Sequence, residues 1–330
     1  MKNKIFNNKY IEINFHNNGV FLIAALINCF FCYLFFGKTG ILVGIITVLF
    51  SNIVYEAKDN SGNIIYIWTL LFLVLIAGVI GYTLKISVFF YIYLFALSFI
   101  YYISYNKDPF IDRTFPFILI FSCVGTSMQG ANIDLVFAYL TGITLSLVCL
   151  TILRRKNYDI DAFKNGLFAK KTYLSEERIF LRSILYSFFI FMSLYIPNYF
   201  DFYRPYWAPL TFIILLRPKE NDIIKITIYR VIGSFLGVFV IILFFKLLSF
   251  NHIYTYIFLL GFIIFLLPSF FKMNYLLKSF GITLFVLLLI EKTIYLYDPN
   301  YQLAYSRVYE TMIGGFMALV ASFILKKMRL

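Results

Sequence analysis

Arg217, Lys225, Arg230, Arg307 and Glu310 stand out because each interrupts or borders an otherwise apolar run. The first three fall in the stretch Tyr206 to Phe239, which reads YWAPLTFIILLRPKENDIIKITIYRVIGSFLGVF. An arginine in such surroundings offers a carboxylate a forked, permanently charged partner. Arg230, followed by Val231 and Ile232, is the sharpest case. Arg217 and Lys225 have a plainer reading as anchors, with stems along apolar surface and charged heads in water. Arg307 and Glu310 lie three apart, so a helix sets them on one face where they can neutralise each other. A carboxylate partly buried beside an arginine can also take up and release a proton. Asp134, at the start of an earlier apolar run, is a weaker candidate of the same kind.

Composition decides which elements must hold these charges. The 330-residue chain is 62% hydrophobic, 21% aromatic and 14% charged, roughly half the charged share of a soluble domain. Several apolar runs approach the roughly 20 residues a helix needs to cross the hydrocarbon core. Irregular backbone cannot face lipid, so the expected fold class is an all-α polytopic membrane protein. The runs are too long for the strands of a membrane barrel. The net charge of +13 comes from cations in short loops between spans. That pattern points to a basic cytoplasmic side and to anionic lipid or an anionic substrate, not to nucleic acid. Cys29 and Cys32 read as small packing residues rather than a redox pair. With His16 and His252 the only histidines, no metal cluster is expected.

Taken in order, residues 1–18 form a basic N-terminus carrying Lys2, Lys4 and Lys9. A first membrane half over 19–153 follows, with spans near 19–36, 40–55, 64–84, 86–104, 114–128 and 133–153. The first run is too long for a signal-peptide core and reads as a retained span. A basic linker over 154–179 leads to a second half, 180–330, with spans near 180–196, 206–217, 226–248, 253–271, 276–291 and 306–325. The first two spans resemble one broken hairpin. Trp207 and Tyr206 fall at the outer end of the eighth span, as interfacial aromatics do. Gly233 and Gly237, and Gly314 in the last span, have the small-residue character of close helix packing.

Counting cations orients the chain. With the N-terminus inside and about twelve transmembrane helices, only Lys38, Lys85, Arg204, Lys246, Lys292 and Arg307 of the 29 Lys and Arg residues fall outside. Both termini and the linker are therefore expected in the cytoplasm. The halves also align. Val136 onward reads VFAYLTGITLSLVCLTILRRK and Val308 onward reads VYETMIGGFMALVASFILKKM, with Gly142 opposite Gly314 and a basic pair closing each. Six helices per half then suggest two parallel pseudo-repeats, with a pathway between them.

At this point the residues reach a family. Tyr206-Trp207-Ala208-Pro209-Leu210-Thr211, then Arg217-Pro218, then Arg230 with Gly233 and Gly237 resembles the signature of the fusaric acid resistance-like, or aromatic acid exporter, membrane proteins. The closing run from Arg307 through Glu310 and Thr311 to Gly314 resembles that family's last-span pattern. The resemblance covers the second half, core 195–325, and would make this a minimal member without large cytosolic domains. The first half matches by hydropathy alone, with Phe50, Ser51 and Asn52 where Arg217–Pro218 would have a counterpart. The resemblance implies efflux of aromatic or other organic carboxylates across the bacterial inner membrane, driven by the proton gradient. On that reading Trp207, Arg217, Lys225 and Arg230 line the substrate pathway, and Arg307, Glu310 and Asp134 are coupling or gating candidates.

Three rivals stand beside it. A passive organic-anion channel needs the same basic entrance without coupling. A membrane enzyme is suggested only by Asp108 and Asp112, a D-x-x-x-D of the kind that holds magnesium diphosphate; no second acidic motif accompanies it, so no catalysis, cofactor or metal is expected. A non-transporting assembly protein is the third. Expected partners are a small organic anion, membrane lipid and either another copy of the chain or an accessory envelope protein.

Overall fold

The computed structural model describes residues 14–57, 64–128, 132–154, 179–218, 223–247, 253–294 and 301–327. Those residues form eleven helices: α1 (Phe15–Tyr55), α2 (Ile64–Leu84), α3 (Val88–Ser104), α4 (Pro109–Ser127), α5 (Ile133–Arg154), α6 (Ile179–Tyr199), α7 (Trp207–Leu215), α8 (Ile223–Leu247), α9 (Ile253–Lys272), α10 (Tyr275–Ile294) and α11 (Tyr301–Lys327). Seven of them, α1, α2, α4, α5, α6, α8 and α11, are long and apolar enough to cross a membrane. Large apolar side chains cover the outside, with Phe89, Phe258 and Phe323 each more than 70% exposed. Such a surface suits acyl chains and not water, and the chain is a multi-pass membrane protein. The expected N-terminal lysines, most of the 154–179 linker, and Lys219 lie outside the described residues.

The first two expected spans are the two arms of α1, parted at Gly37, where φ is +67°. That left-handed backbone suits glycine, and the two arms fold back on each other. The Asn28 amide ties them, donating to the Gly44 carbonyl at 3.0 Å and to the Thr47 hydroxyl at 3.0 Å. A Cβ on Gly40 would strike the Cys32 carbonyl.

The eighth expected span, 206–217, is instead the nine-residue helix α7. At 1.5 Å per residue it is about 14 Å long, half a bilayer. Its limits follow from proline. Pro209 sits in the first turn, where no N–H is needed. Pro218 disfavours helix at Arg217, and Leu216 has already left helical geometry at φ −97°, ψ 86°. Among the described residues seven helices are of spanning length, and beside them stand shorter apolar helices and α7.

Packing joins the early and late helices. α1 lies along α5 and α2 along α4; among the later helices α8 packs on α10 and α11, and α11 on α7. Between the two groups, α3 packs on α6 and α9 on α1. Tyr91 of α3 meets Phe191 and Tyr195 of α6 edge-on. Asn18 of α1 donates to the Ser269 hydroxyl of α9 at 2.7 Å, both residues buried.

Candidate anion site

α8 starts at Ile223, three residues earlier than expected, so Arg230 lies two turns into the helix and not one. Its side chain is 1% exposed. Helix α11 brings Arg307 and Glu310 to the same depth of burial, at 1% and 0%. These three, with Asp108, are the buried ionisable carboxylates and guanidiniums among the described residues. Arg307 lies within electrostatic reach of both Arg230 and Glu310.

What sets the cluster apart is how much of it is unpartnered. Nε and Nη2 of Arg230, Nε and Nη2 of Arg307, and Oε2 of Glu310 are buried without a hydrogen-bond partner. The hydroxyls of Thr211 on α7 and Thr227 on α8 are in the same condition. Buried polar atoms are normally satisfied, because leaving one bare costs about 1–3 kcal/mol and more for a charged group. Three helices thus bring guanidinium N–H donors, two hydroxyls and one carboxylate oxygen into the protein interior without hydrogen bonds among these atoms.

α7 and α11 hold this arrangement by close approach. A Cβ on Gly314 would run into the Ala208 carbonyl oxygen and reach within 2.8 Å of Thr211 Cβ. Gly315 lies against Thr227, where an added Cβ would stand 3.0 Å from its methyl carbon. One turn away, Glu310 Oε1 accepts a hydrogen bond from the Arg204 backbone N–H at 3.1 Å. The carboxylate therefore sits at the start of α7, where a helix favours negative charge. Arg307 rests over the Trp207 ring, 5.0 Å from its centroid. The expected Arg307–Glu310 ion pair does not form among the described residues; each turns to α7 instead.

A graded series of cations leads to the cluster. Arg113 of α4 and Arg217 are exposed and Lys278 of α10 is half-buried. Lys278 lies within electrostatic reach of Arg217, Arg113 and Arg230. The exposed Lys225 rests 5.7 Å from the Tyr229 ring. Trp207 is 1% exposed, so it is a buried platform and not an interfacial aromatic. Asp134 is exposed on the first turn of α5, which packs on α1 and α2 and stays apart from the cluster. Gly233 and Gly237 press on α10, where added Cβ atoms would come within 2.6 Å of the Leu276 carbonyl and 2.9 Å of Thr283 Cβ.

Thr227 and Lys278 escaped the sequence reading. Both lie in apolar helices; Thr227 precedes Arg230 by three residues, a spacing that marks one helix face. Asp108 and Asp112 take part in local structure. Asp108 caps α4 and accepts from Phe110 N–H at 3.0 Å and from the Tyr66 hydroxyl. Asp112 accepts from Asn106 N–H at 2.8 Å.

Comparison with known families matches residues 190–321 to the family described as Fusaric acid resistance protein-like. The matched segment contains α7, α8 and the cluster, together with α9, α10 and most of α11. No curated protein and no solved structure matches the chain.

Proposed function

We propose that this chain is a membrane transporter that carries organic carboxylate anions, aromatic ones among them, out of the bacterial cytoplasm through the inner membrane. The observation that carries the reading is the buried pair Arg230 and Arg307, whose Nε and Nη2 atoms have no hydrogen-bond partner, with the half-buried cation Lys278 within electrostatic reach of Arg230. A guanidinium in hydrocarbon is expensive and is kept where it meets a substrate or a counter-charge. Free N–H donors in a dry site are what a carboxylate fits. The match of 190–321 to a resistance family supports the same reading.

In this mechanism the cations at Arg113, Arg217 and Lys278 draw the anion inward. The anion then bonds to Arg230 and Arg307, with the Thr211 and Thr227 hydroxyls completing its shell. Glu310 carries the coupling proton. No cofactor takes part.

Alternating access comes from two parallel six-helix repeats rocking on one another, with both termini cytoplasmic. Matched contacts support that arrangement. α2 packs on α4 as α8 packs on α10, and α3 reaches α6 as α9 reaches α1. A Cβ on Gly142 would stand 2.5 Å from the Thr47 hydroxyl, as one on Gly314 would meet Thr211.

The test is benzoate flux in proteoliposomes of the purified chain under imposed proton and potential gradients. Uphill movement that collapses with the proton gradient is expected. Flux that follows the potential alone would make the protein a channel. Failure to move any of a panel of aromatic and aliphatic acids would overturn the reading.

A further inference from the structure

We infer that a crevice of about 170 Å³ between α2, α3 and α4 is a seat for an acyl chain of a membrane lipid. It lies on helices that hold none of Arg230, Arg307 and Glu310, and it stands whether or not the chain moves anions. Its floor is Leu70 and Ala77 of α2 with Ile111, Phe115 and Ile118 of α4, all buried. Its mouth is partly exposed, with Ile76 of α2 at 38% and Leu97 of α3 half-buried.

Packing explains the gap. α2 and α4 meet backbone to backbone toward their C-terminal ends, where an added Cβ on Gly81 would strike the Ser122 carbonyl and one on Gly125 the Gly78 carbonyl. α3 is held to α6 instead, through edge contacts of Tyr91 with Phe191 and of Phe99 with Phe180. A wedge therefore stays open between α3 and the α2–α4 pair.

The lining selects the occupant. Its two polar side chains are spent: the Thr114 hydroxyl donates to the Phe110 carbonyl at 2.8 Å, and the Tyr93 hydroxyl hydrogen-bonds to that of Ser122 at 3.3 Å. With no charge and no open donor or acceptor, the crevice takes hydrocarbon and rejects a carboxylate, whose lost hydration nothing replaces. An apolar cavity of about 150 Å³ already holds a benzene-sized group. Depth selects the source. Leu70 and Ala77 fall in the middle of the 21-residue α2, so the mouth opens on the centre of the hydrocarbon core, where lipid tails are and headgroups are not. A tail that enters leaves one apolar setting for another. What it gains is the dispersion contact that an unfilled void forfeits.

Photolabelling tests the seat in proteoliposomes of the full chain, with phosphatidylcholine carrying a diazirine near the end of one acyl chain. Adducts are expected on Ile111, Phe115 or Ile118, and not on Ile143 of α5, which is as buried but does not line the crevice. The exposed Phe89 is labelled in either case and sets the scale. Ala77→Leu fills the floor and should cut the adducts on α4 about tenfold or more, in proportion to the volume it takes up. Phe89 labelling should stay unchanged and the unfolding temperature level or raised; Ala77→Val replaces the leucine variant if that does not fold. Label confined to exposed residues, label equal on Ile111 and Ile143, or α4 adducts that Ala77→Leu leaves unchanged each overturn the lipid seat. Toluene separates the sources. An unfolding temperature that toluene raises in wild type but not in Ala77→Leu, with α4 unlabelled by the lipid, would make the occupant a free apolar solute and overturn the seat as well.

Discussion

The guanidinium of Arg307 lies 5.0 Å from the centroid of the Trp207 ring, and both residues are almost wholly buried. The ring face gives the cation an electrostatic partner that is not an acid. Arg307 can thus be held in place while its Nε and Nη2 stay open.

This contact predicts a graded response at position 207. Trp207→Phe keeps a ring with a weaker face and leaves a small void, and should destabilise the folded protein by about 1–2 kcal/mol. Trp207→Leu removes the ring and should cost more. Unfolding of the purified variants in detergent measures both. Equal losses for Phe and Leu would mean that the ring acts by volume alone.

Arg230 and Lys225 lie five residues apart on α8 but in opposite settings. Arg230 is buried with open donors, whereas Lys225 is exposed. Arg230→Ala should lower benzoate uptake by about 30-fold or more, the loss expected when a desolvated charge partner is removed. Arg230→Lys keeps the charge without the fork and should fall between the two. Lys225→Ala should change uptake by less than about threefold, as a surface charge does. Uptake at fixed protein in the bilayer checks all three, and an equal loss at both positions would make Arg230 one anchor among several.

Hydropathy reported apolar length, and that is why the class and most of the helices were legible. It does not report whether the backbone stays helical throughout. The run around 206–217 counted as a span although Pro209 and Pro218 were in plain sight and bound α7 to nine residues. Arg154 shows the other gap. Read as half of a basic pair at a span end, it is 7% exposed and bonds to Glu56 at 2.9 Å and Asn52 at 2.8 Å. Both partners lie about a hundred positions earlier on α1 and its end, and no local pattern links them. The charged site residues themselves were legible because a charge in an apolar run is conspicuous. Thr227 was not, since a threonine costs little on a membrane helix until its hydroxyl is left without a partner.

Gly314 predicts a packing effect that can be separated from helix propensity. An added Cβ would meet the Ala208 carbonyl and Thr211 Cβ on α7, neither of which can swing away. Gly314→Ala should therefore destabilise by about 1–3 kcal/mol and disturb the unpartnered Thr211 hydroxyl. Gly261 of α9 is the control, because nothing lies within 4 Å of its added Cβ. Gly261→Ala should be neutral or stabilising by up to about 1 kcal/mol. A matched loss at both positions would trace the effect to the helices' own flexibility and not to the α7–α11 contact.

The last prediction concerns the hydrogen bond from Asn18 to Ser269, which ties α1 to α9 across the two groups of helices. At 2.7 Å and with both residues at most 3% exposed, it has no water to compete with it. Interhelical bonds of this kind contribute about 0.5–1.5 kcal/mol in membranes, less than a dry setting suggests, because the unfolded chain also finds partners. A double-mutant cycle of Asn18→Val and Ser269→Ala should return a coupling of that size. If the two groups of helices rock on one another during transport, this bond is made in one state and strained or broken in another. Its loss should then change benzoate turnover by more than it changes benzoate binding. A cycle with normal coupling but proportional changes in turnover and binding would leave the bond a static tie and move the hinge elsewhere.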